Sequence, residues 1–148
     1  MNKTKKTKLL HFEEMSAVLT GFSLADIQGT GMSEAYLVFL EERKPPVPID
    51  GLLSAFDNLH LDPANLSTED LSMISLVLED KAIGPLSRQI IFMWYTGQWN
   101  YGKEDTFVIS EKAYIESFSY VASGAHPAGA KQPGFGTWQF PPLTFPDI

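Results

Sequence analysis

Imidazole and carboxylate side chains are the groups in this sequence whose types could do acid–base or metal chemistry. The three histidines, His11, His60 and His126, are far apart in the chain and stand in unrelated contexts. Asp57 lies three residues before His60, a spacing that puts two side chains on one face of a helix, where they could bind a metal ion. A stable metal site needs three or four ligands. The pair of Asp57 and His60 therefore indicates an ordinary surface pair more than a metal site.

Adjacent carboxylates occur three times, but their geometry does not suit catalysis. Neighbouring residues on a helix point about 100° apart, so they do not converge on one reacting atom as a catalytic dyad must. The chain has no cysteine, which excludes thiolate nucleophiles, disulfides and Cys-ligated zinc, and it lacks the G-x-S-x-G and H-E-x-x-H motifs. The sequence predicts no catalytic residue and no metal site. The paired acids, interpreted as solvated helix faces, are Glu13–Glu14, Glu41–Glu42 and Glu79–Asp80.

Two glycine-rich stretches match phosphate-binding loops only in part. The stretch GTGMS, residues 29–33, lacks a third glycine and a preceding strand pattern. The stretch GFG, residues 134–136, is followed by Thr137, Trp138 and prolines, and not by a helix whose N-terminus would bind a phosphate. The sequence predicts no nucleotide or other cofactor bound by this chain.

The segment FMWYTGQWNY, residues 92–101, is dense in aromatic side chains. We favour a core position for Phe92 and Trp94, because large aromatic side chains are mostly buried. Trp and Tyr also have a polar tip and are common where an apolar surface meets water or another protein. An exposed apolar patch that binds a partner and an aromatic platform that binds a small sugar are both open interpretations at this point.

Helical periodicity dominates the rest of the sequence and predicts an all-α fold, a single domain of about six helices. The first helix has an apolar face at spacings of three and four residues, which is typical of an amphipathic helix. Gly21 is its expected stop, since glycine readily adopts the left-handed conformation that ends helices. The residues of this face are Phe12, Met15, Leu19 and Phe22.

Capping residues and prolines divide the middle of the chain. A second helix is predicted over residues 33–43, ended by KPPVP at residues 44–48. A third begins near Asp50, which is a favourable N-cap residue. Ser67 and Asp70 have the spacing of a capping box and predict the start of a fourth helix.

Two further helices are predicted toward the C-terminus. Gly84-Pro85 starts the fifth, because proline is tolerated in the first turn, and the apolar pattern continues through residue 99. Residues 106–109, TFVI, predict a short strand or an extended link. Ser110 caps the sixth helix and Gly124 ends it.

The segment from Gly124 onward has 5 of the 10 prolines and 4 of the 11 glycines, which predicts an irregular structure. It is also aromatic, and disordered tails are normally poor in aromatic residues. We therefore expect it to pack on the helical domain or on a partner. The predicted divisions are a basic flexible leader at 1–8, a helical domain at 9–124 and an irregular C-terminal strap at 125–148. The aromatic residues of this strap are Phe135, Trp138, Phe140 and Phe145.

Charge is distributed unevenly along the chain. Four lysines lie in the leader, and the remaining seven basic residues against 18 acidic ones give the body a net charge of −11. An acidic body is a poor partner for nucleic acid, which is bound through Lys and Arg. The sequence has no stretch that could span a membrane, and its charged N-terminus lacks the apolar core of a secretory signal and a twin-arginine pair.

Two blocks carry a family resemblance. SRQIIFMWYTGQW and SFSYVASGAHPAGAKQPGFGTWQFPP resemble the small (gamma) subunit of membrane-bound, FAD-dependent sugar and polyol dehydrogenases, such as the sorbitol, fructose and glucose dehydrogenase complexes. FEEMSAVLTGF is similar to the opening helix of that family, so the resemblance extends over residues 12–142. It implies a non-catalytic accessory subunit that binds a large FAD-containing subunit and supports its maturation.

The resemblance also implies the partners and the location. FAD is expected in the large subunit and not in this chain, and a cytochrome c subunit is a further partner of the family. A homodimer of the isolated chain is also open, because a subunit without its partner leaves apolar surface uncovered. Family members usually begin with a twin-arginine signal and are periplasmic. This chain lacks such a signal, so it is expected in the cytoplasm if Met1 is the native start.

The resemblance and the aromatic pattern together select eight residues. We expect each of them either to close the fold or to contact the partner, and the sequence does not divide them between these roles. The alternative to the accessory subunit is a stand-alone helical protein that binds a small carbohydrate on its surface aromatics. The eight residues are Trp94, Tyr95, Trp99, His126, Lys131, Gln132, Phe135 and Trp138.

Overall fold

A computed structural model of the chain describes residues 7–102 and 105–119. These residues are mostly helical and confirm the all-α class, with seven helices and one two-stranded antiparallel ribbon. The leader up to residue 6 and the strap at 125–148 lie outside the described residues. The elements are α1 (Lys8–Thr20), α2 (Leu24–Gly29), α3 (Ser33–Glu41), α4 (Ile49–Asp57), α5 (Thr68–Glu79), α6 (Gly84–Thr96), β1 (Gln98–Trp99), β2 (Phe107–Val108) and α7 (Glu111–Ile115).

The chain divides into two compact units, residues 1–91 and residues 92–148. In the first unit, α1 packs against α2, α3 and α4 and supplies much of the core. Phe12 is fully buried and Met15 nearly so, as the apolar spacing predicts. Gly21 ends α1 in the left-handed conformation, with φ of 81°, and its N–H donates to the Ala17 carbonyl, so the predicted stop is confirmed.

The helix α2 is an element that the sequence analysis did not predict. It is six residues long, too short to display an apolar period, and it buries Ile27. Its start nevertheless has a chemical signal. The Ser23 hydroxyl accepts from the Asp26 N–H, and the Asp26 carboxylate accepts from the Ser23 N–H, which together form a capping box.

The predicted start of α4 near Asp50 is confirmed, but Asp50 is not its N-cap. The N-cap is Pro48, which makes no side-chain capping bond, and Asp50 lies in the first turn. A carboxylate is also favourable there, because the first turn carries the positive end of the helix dipole. The Asp50 carboxylate contacts the Lys8 ammonium at 2.6 Å, and the same ammonium lies 3.2 Å from Glu41. Lys8 therefore joins the starts of α1 and α4 to the end of α3.

The helix α5 begins as predicted, with reciprocal bonds between Ser67 and Asp70. Ile74 is the one buried residue of α5, whereas Leu71 and Leu76 are more than half exposed. The predicted start of α6 is also confirmed, with Pro85 in its first turn. Among the described residues, none of the helices is long and apolar enough to cross a membrane.

In the second unit, the structure corrects or refines three of the predicted helix and strand boundaries. The apolar run predicts α6 through residue 99, but α6 ends at Thr96 and residues 98–99 form β1. The short strand predicted within TFVI is confirmed as β2. Ser110 caps α7 as predicted, through a 3.0 Å bond from the Ala113 N–H, but α7 ends at Ile115.

Candidate functional site

The WYTGQW block contains the turn that ends α6. The Gly97 N–H donates to the Met93 carbonyl at 2.8 Å, and Gly97 has φ of 70°, a conformation that favours glycine. The Thr96 hydroxyl donates to the Phe92 carbonyl at 2.7 Å and accepts from the Gln98 N–H at 3.2 Å. These bonds satisfy backbone groups at the helix end and direct the chain into β1.

A small ribbon follows the turn. Gln98 pairs with Val108 and Trp99 pairs with Phe107 in the antiparallel register of β1 and β2. The Ile109 N–H extends this pairing by donating to the Gly97 carbonyl at 2.9 Å. The WYTGQW block therefore fixes the position of β2 through backbone hydrogen bonds.

Gly97 also lies against α7. A Cβ atom at Gly97 would lie 2.5 Å from the Ala113 carbonyl oxygen and 2.8 Å from the Tyr114 nitrogen, closer than real contacts allow. Ala113 itself is fully buried. The glycine of the block is therefore required both by its positive φ and by the approach of the α7 backbone.

Aromatic contacts join the end of α6 to the residues after α7. The Trp94 and Phe118 rings are stacked, with centroids 5.7 Å apart, and the Tyr95 ring meets Phe118 edge-on at 6.3 Å. The Ser119 hydroxyl donates to the Tyr95 carbonyl. Trp99 packs against Tyr101, with centroids 5.7 Å apart.

Three of the eight predicted site residues lie in the described part of the chain, and they differ in burial. Trp94 is 1% exposed and Trp99 is fully buried, so both lie in the interior, and Tyr95 is half-buried. The indole faces of Trp94 and Trp99 are therefore not on the surface of the chain, where a sugar or a partner could stack on them. The other predicted site residues lie outside the described residues: His126, Lys131, Gln132, Phe135 and Trp138.

The exposed apolar side chains next to this block are on β2. Phe107 is 38% exposed and Val108 is 47% exposed. Consecutive strand residues point to opposite faces, so β2 presents an apolar side chain on both faces of the ribbon. We call this pair the β2 surface. Phe107 and Val108 are not among the eight residues selected from the sequence, although TFVI is an apolar run.

A second candidate site lies in the first unit, where the sequence analysis expected only a surface pair. The packing of α1 against α4 places the His11 Nε2 atom 4.0 Å from the Oδ1 atom of Asp57, the last residue of α4. Glu14 and His60 line the same cavity, whose volume is about 250 Å³. The sequence does not indicate this group, because His11 and Asp57 are far apart in the chain and are brought together only by the packing of two helices. Within residues 7–102 and 105–119, no group of three or more His, Asp or Glu side chains is placed to hold a metal ion.

No protein-family model, curated protein or solved structure matches the chain in comparisons with known proteins.

Proposed function

We propose that the chain is a non-catalytic accessory subunit of a FAD-dependent sugar or polyol dehydrogenase. It binds the large subunit and supports the maturation of that subunit. The FAD belongs to the large subunit, and a cytochrome c subunit accepts the electrons. As the family resemblance of the sequence implies, the assembled complex is periplasmic.

The observation that carries this proposal is the β2 surface beside a buried WYTGQW block. The block is part of one of the two sequence blocks that carry the family resemblance, and its tryptophans pack inside the chain. Its Gly97 turn and backbone hydrogen bonds hold β2 in place, so that Phe107 and Val108 are presented from an ordered support. Exposed apolar side chains on an ordered support can serve as contacts for another protein.

The composition supports a binding role in a second way. The body of the chain carries a net charge of −11, and the β2 surface follows the acidic residue Asp105, which is exposed. A partner with an apolar patch bordered by Lys or Arg would match this surface in both hydrophobicity and charge. Complementary charges also speed the encounter between partners.

The alternative of a sugar platform has less support. Stacking a pyranose needs an aromatic face that is open to solvent, and the indole rings of Trp94 and Trp99 are buried. Tyr95 and Tyr101 are half-buried and pack on other aromatic rings. The accessory subunit is therefore the function that we propose.

Co-purification tests the proposal. The tagged chain is expressed together with a large FAD-containing sugar or polyol dehydrogenase subunit. We expect the two chains to elute together and the yellow flavin absorbance to follow the tag. Failure of the flavoprotein to co-purify under mild salt conditions would overturn the proposed function.

A matched pair of variants locates the contact. Val108→Glu puts a charge into the β2 surface, and we expect it to weaken co-purification by about tenfold, the equivalent of 1.4 kcal/mol. Val38→Glu is the control, because Val38 is similarly exposed, at 42%, but lies on α3 in the first unit. Equal retention of the flavoprotein by the two variants would remove the β2 surface from the proposal.

A further inference from the structure

We propose that α5 is a self-association surface, on which a second copy of this chain packs its own α5 in the antiparallel direction. The helix lies within the first unit, and the proposal does not depend on the accessory role. Only Ile74 of its 12 residues is buried, so α5 contributes little to the core of that unit. Leu71 is 53% exposed and Leu76 is 67% exposed, the two highest values among the exposed large apolar side chains of the described chain.

The exposed face of α5 has a polar line along its centre and one leucine on each side. Residues three and four positions apart are neighbours on a helix surface. Leu71 and Leu76 are each three positions from one member of the line and four from another, so each lies beside the line. They are five positions apart, which places them about 140° apart around the helix axis. The exposed residues of the line, which we call the α5 line, are Thr68, Ser72, Ser75 and Glu79.

This face has the same layout in both directions along the helix. Its midpoint lies between Met73 and Ile74, and each residue of the face has a counterpart at the same distance on the other side. A two-fold dimer brings identical patches together, so that residue i contacts residue j and residue j contacts residue i. Two antiparallel α5 helices that meet at this midpoint therefore place each residue of the α5 line opposite its counterpart. The counterparts are Thr68 with Glu79, Leu71 with Leu76, and Ser72 with Ser75.

The side chains at the midpoint suit a close helix pair. Serine side chains are short, and the distance between packed helices depends on the size of the side chains at the contact. The Ser72 hydroxyl donates to the Thr68 carbonyl at 3.2 Å, which leaves its oxygen able to accept from Ser75 of the second copy. At each end of the serine contact, one leucine from each chain flanks the line and loses contact with water.

The charges of α5 set the salt dependence of the pair. Glu79 meets the first turn of the second α5, where the positive end of the helix dipole and the Thr68 hydroxyl favour a carboxylate. The acidic residues Glu69 and Asp70 of that turn oppose this attraction, and each chain has a net charge of −7. Because salt screens repulsion between exposed charges, the dimer should become tighter as salt is added.

The size of the helix determines the strength of the dimer. A helix of 12 residues is about 18 Å long. One pair of such helices buries much less than the roughly 800 Å² per partner of a standard stable interface. The dimer is therefore weak and reversible, and it is populated at high protein concentration.

Disulfide trapping tests the geometry, since the chain has no cysteine of its own. Ser72→Cys puts a thiol close to the two-fold axis, within reach of the same thiol in the second copy. Ser54→Cys is the matched control, because Ser54 is an exposed serine on α4 in the same unit. With oxidised glutathione, we expect Ser72→Cys to form a covalent dimer at least about tenfold faster, because association raises the effective concentration of its thiols. Equal rates in the two variants would overturn the proposal.

Sedimentation equilibrium of the cysteine-free full chain provides an independent measurement. We expect a monomer–dimer equilibrium whose dissociation constant falls as salt is raised, and Leu76→Glu should raise that constant about tenfold, the equivalent of 1.4 kcal/mol. Val38→Glu is the control, because Val38 is 42% exposed but lies on α3, and it should leave the constant unchanged. An unaltered chain that stays monomeric at millimolar concentration, or equal constants in the two variants, would contradict self-association through α5.

Discussion

The indole ring of Trp94 lies nearly parallel to the phenyl ring of Phe118, at an angle of 15° and a centroid distance of 5.7 Å. Both side chains are at least 97% buried. The stack joins the last turn of α6 to the residues after α7, 24 positions later in the sequence. Because these two regions enclose the ribbon in sequence, we infer that the stack is a principal stabilising contact of the second unit.

Truncation of this stack should destabilise the second unit strongly. Phe118→Ala removes a buried aromatic side chain and the surface on which Trp94 stacks, so we expect a loss of about 3–5 kcal/mol in the free energy of unfolding. Urea unfolding followed by near-ultraviolet circular dichroism measures the change at the tryptophans. Phe107→Ala is the control, since Phe107 is 38% exposed, and its loss should be clearly smaller. Similar losses in the two variants would contradict a stabilising role for the stack.

A pair of glycine substitutions tests the approach of α7 to the α6 turn. Gly97 and Gly102 have nearly the same φ, 70° and 72°, but only Gly97 lies against another backbone segment. We expect Gly102→Ala to lower the free energy of unfolding by about 1–2 kcal/mol, through the positive φ alone. Gly97→Ala should lower it by about a further 1–3 kcal/mol, because its methyl group overlaps the Ala113 carbonyl. Thermal unfolding of both variants measures the difference, and equal losses would show that the close approach is unimportant.

Some elements of the fold follow from local signals and others do not. The Ser67–Asp70 capping box and the Gly21 stop predict their helix ends correctly, because each uses backbone groups within a few residues. The end of α6 was misplaced because apolar residues continue past Gly97 into β1, where a strand and not a helix buries Trp99. The identical capping signal at Ser23 was missed because α2 is too short to show a period.

The candidate sites were harder to predict than the fold. The sequence selected Trp94 and Trp99 as residues that close the fold or contact a partner, but it did not divide them between these roles, since that choice depends on which neighbours cover them. The exposed Phe107 and Val108 and the meeting of His11 with Asp57 depend on tertiary packing, and no local spacing indicates them.

The Lys8 ion pairs give the chain a pH-dependent contribution to stability. The hydrogen bond to Asp50 is the main cause that raises the pKa of Lys8 above its ordinary value of 10.5, and Glu41 adds to it against the opposing effect of burial. When folding raises the pKa of a group, its contribution to stability is complete at pH values below its pKa in the unfolded chain. The contribution is lost as the pH rises through the higher pKa of the folded chain. Lys8→Met should therefore lower the free energy of unfolding at pH 7, and the difference from the unaltered chain should shrink above pH 10.5.

Urea unfolding at a series of pH values measures this difference. Lys81→Met is the control, because Lys81 is exposed and forms no ion pair with the described residues. It should change stability little at any pH. A Lys8→Met effect that is the same at neutral and at high pH would show that packing of the side chain, and not its charge, is responsible.

The yield of FAD-loaded large subunit tests the accessory role most directly. The large subunit is produced alone, with the full chain, and with the Val108→Glu variant, and bound FAD per mole of purified large subunit is measured from its absorbance. We predict high FAD occupancy and dehydrogenase activity with the full chain, and low values in the other two cases. Equal FAD content and activity with and without the chain would contradict the account.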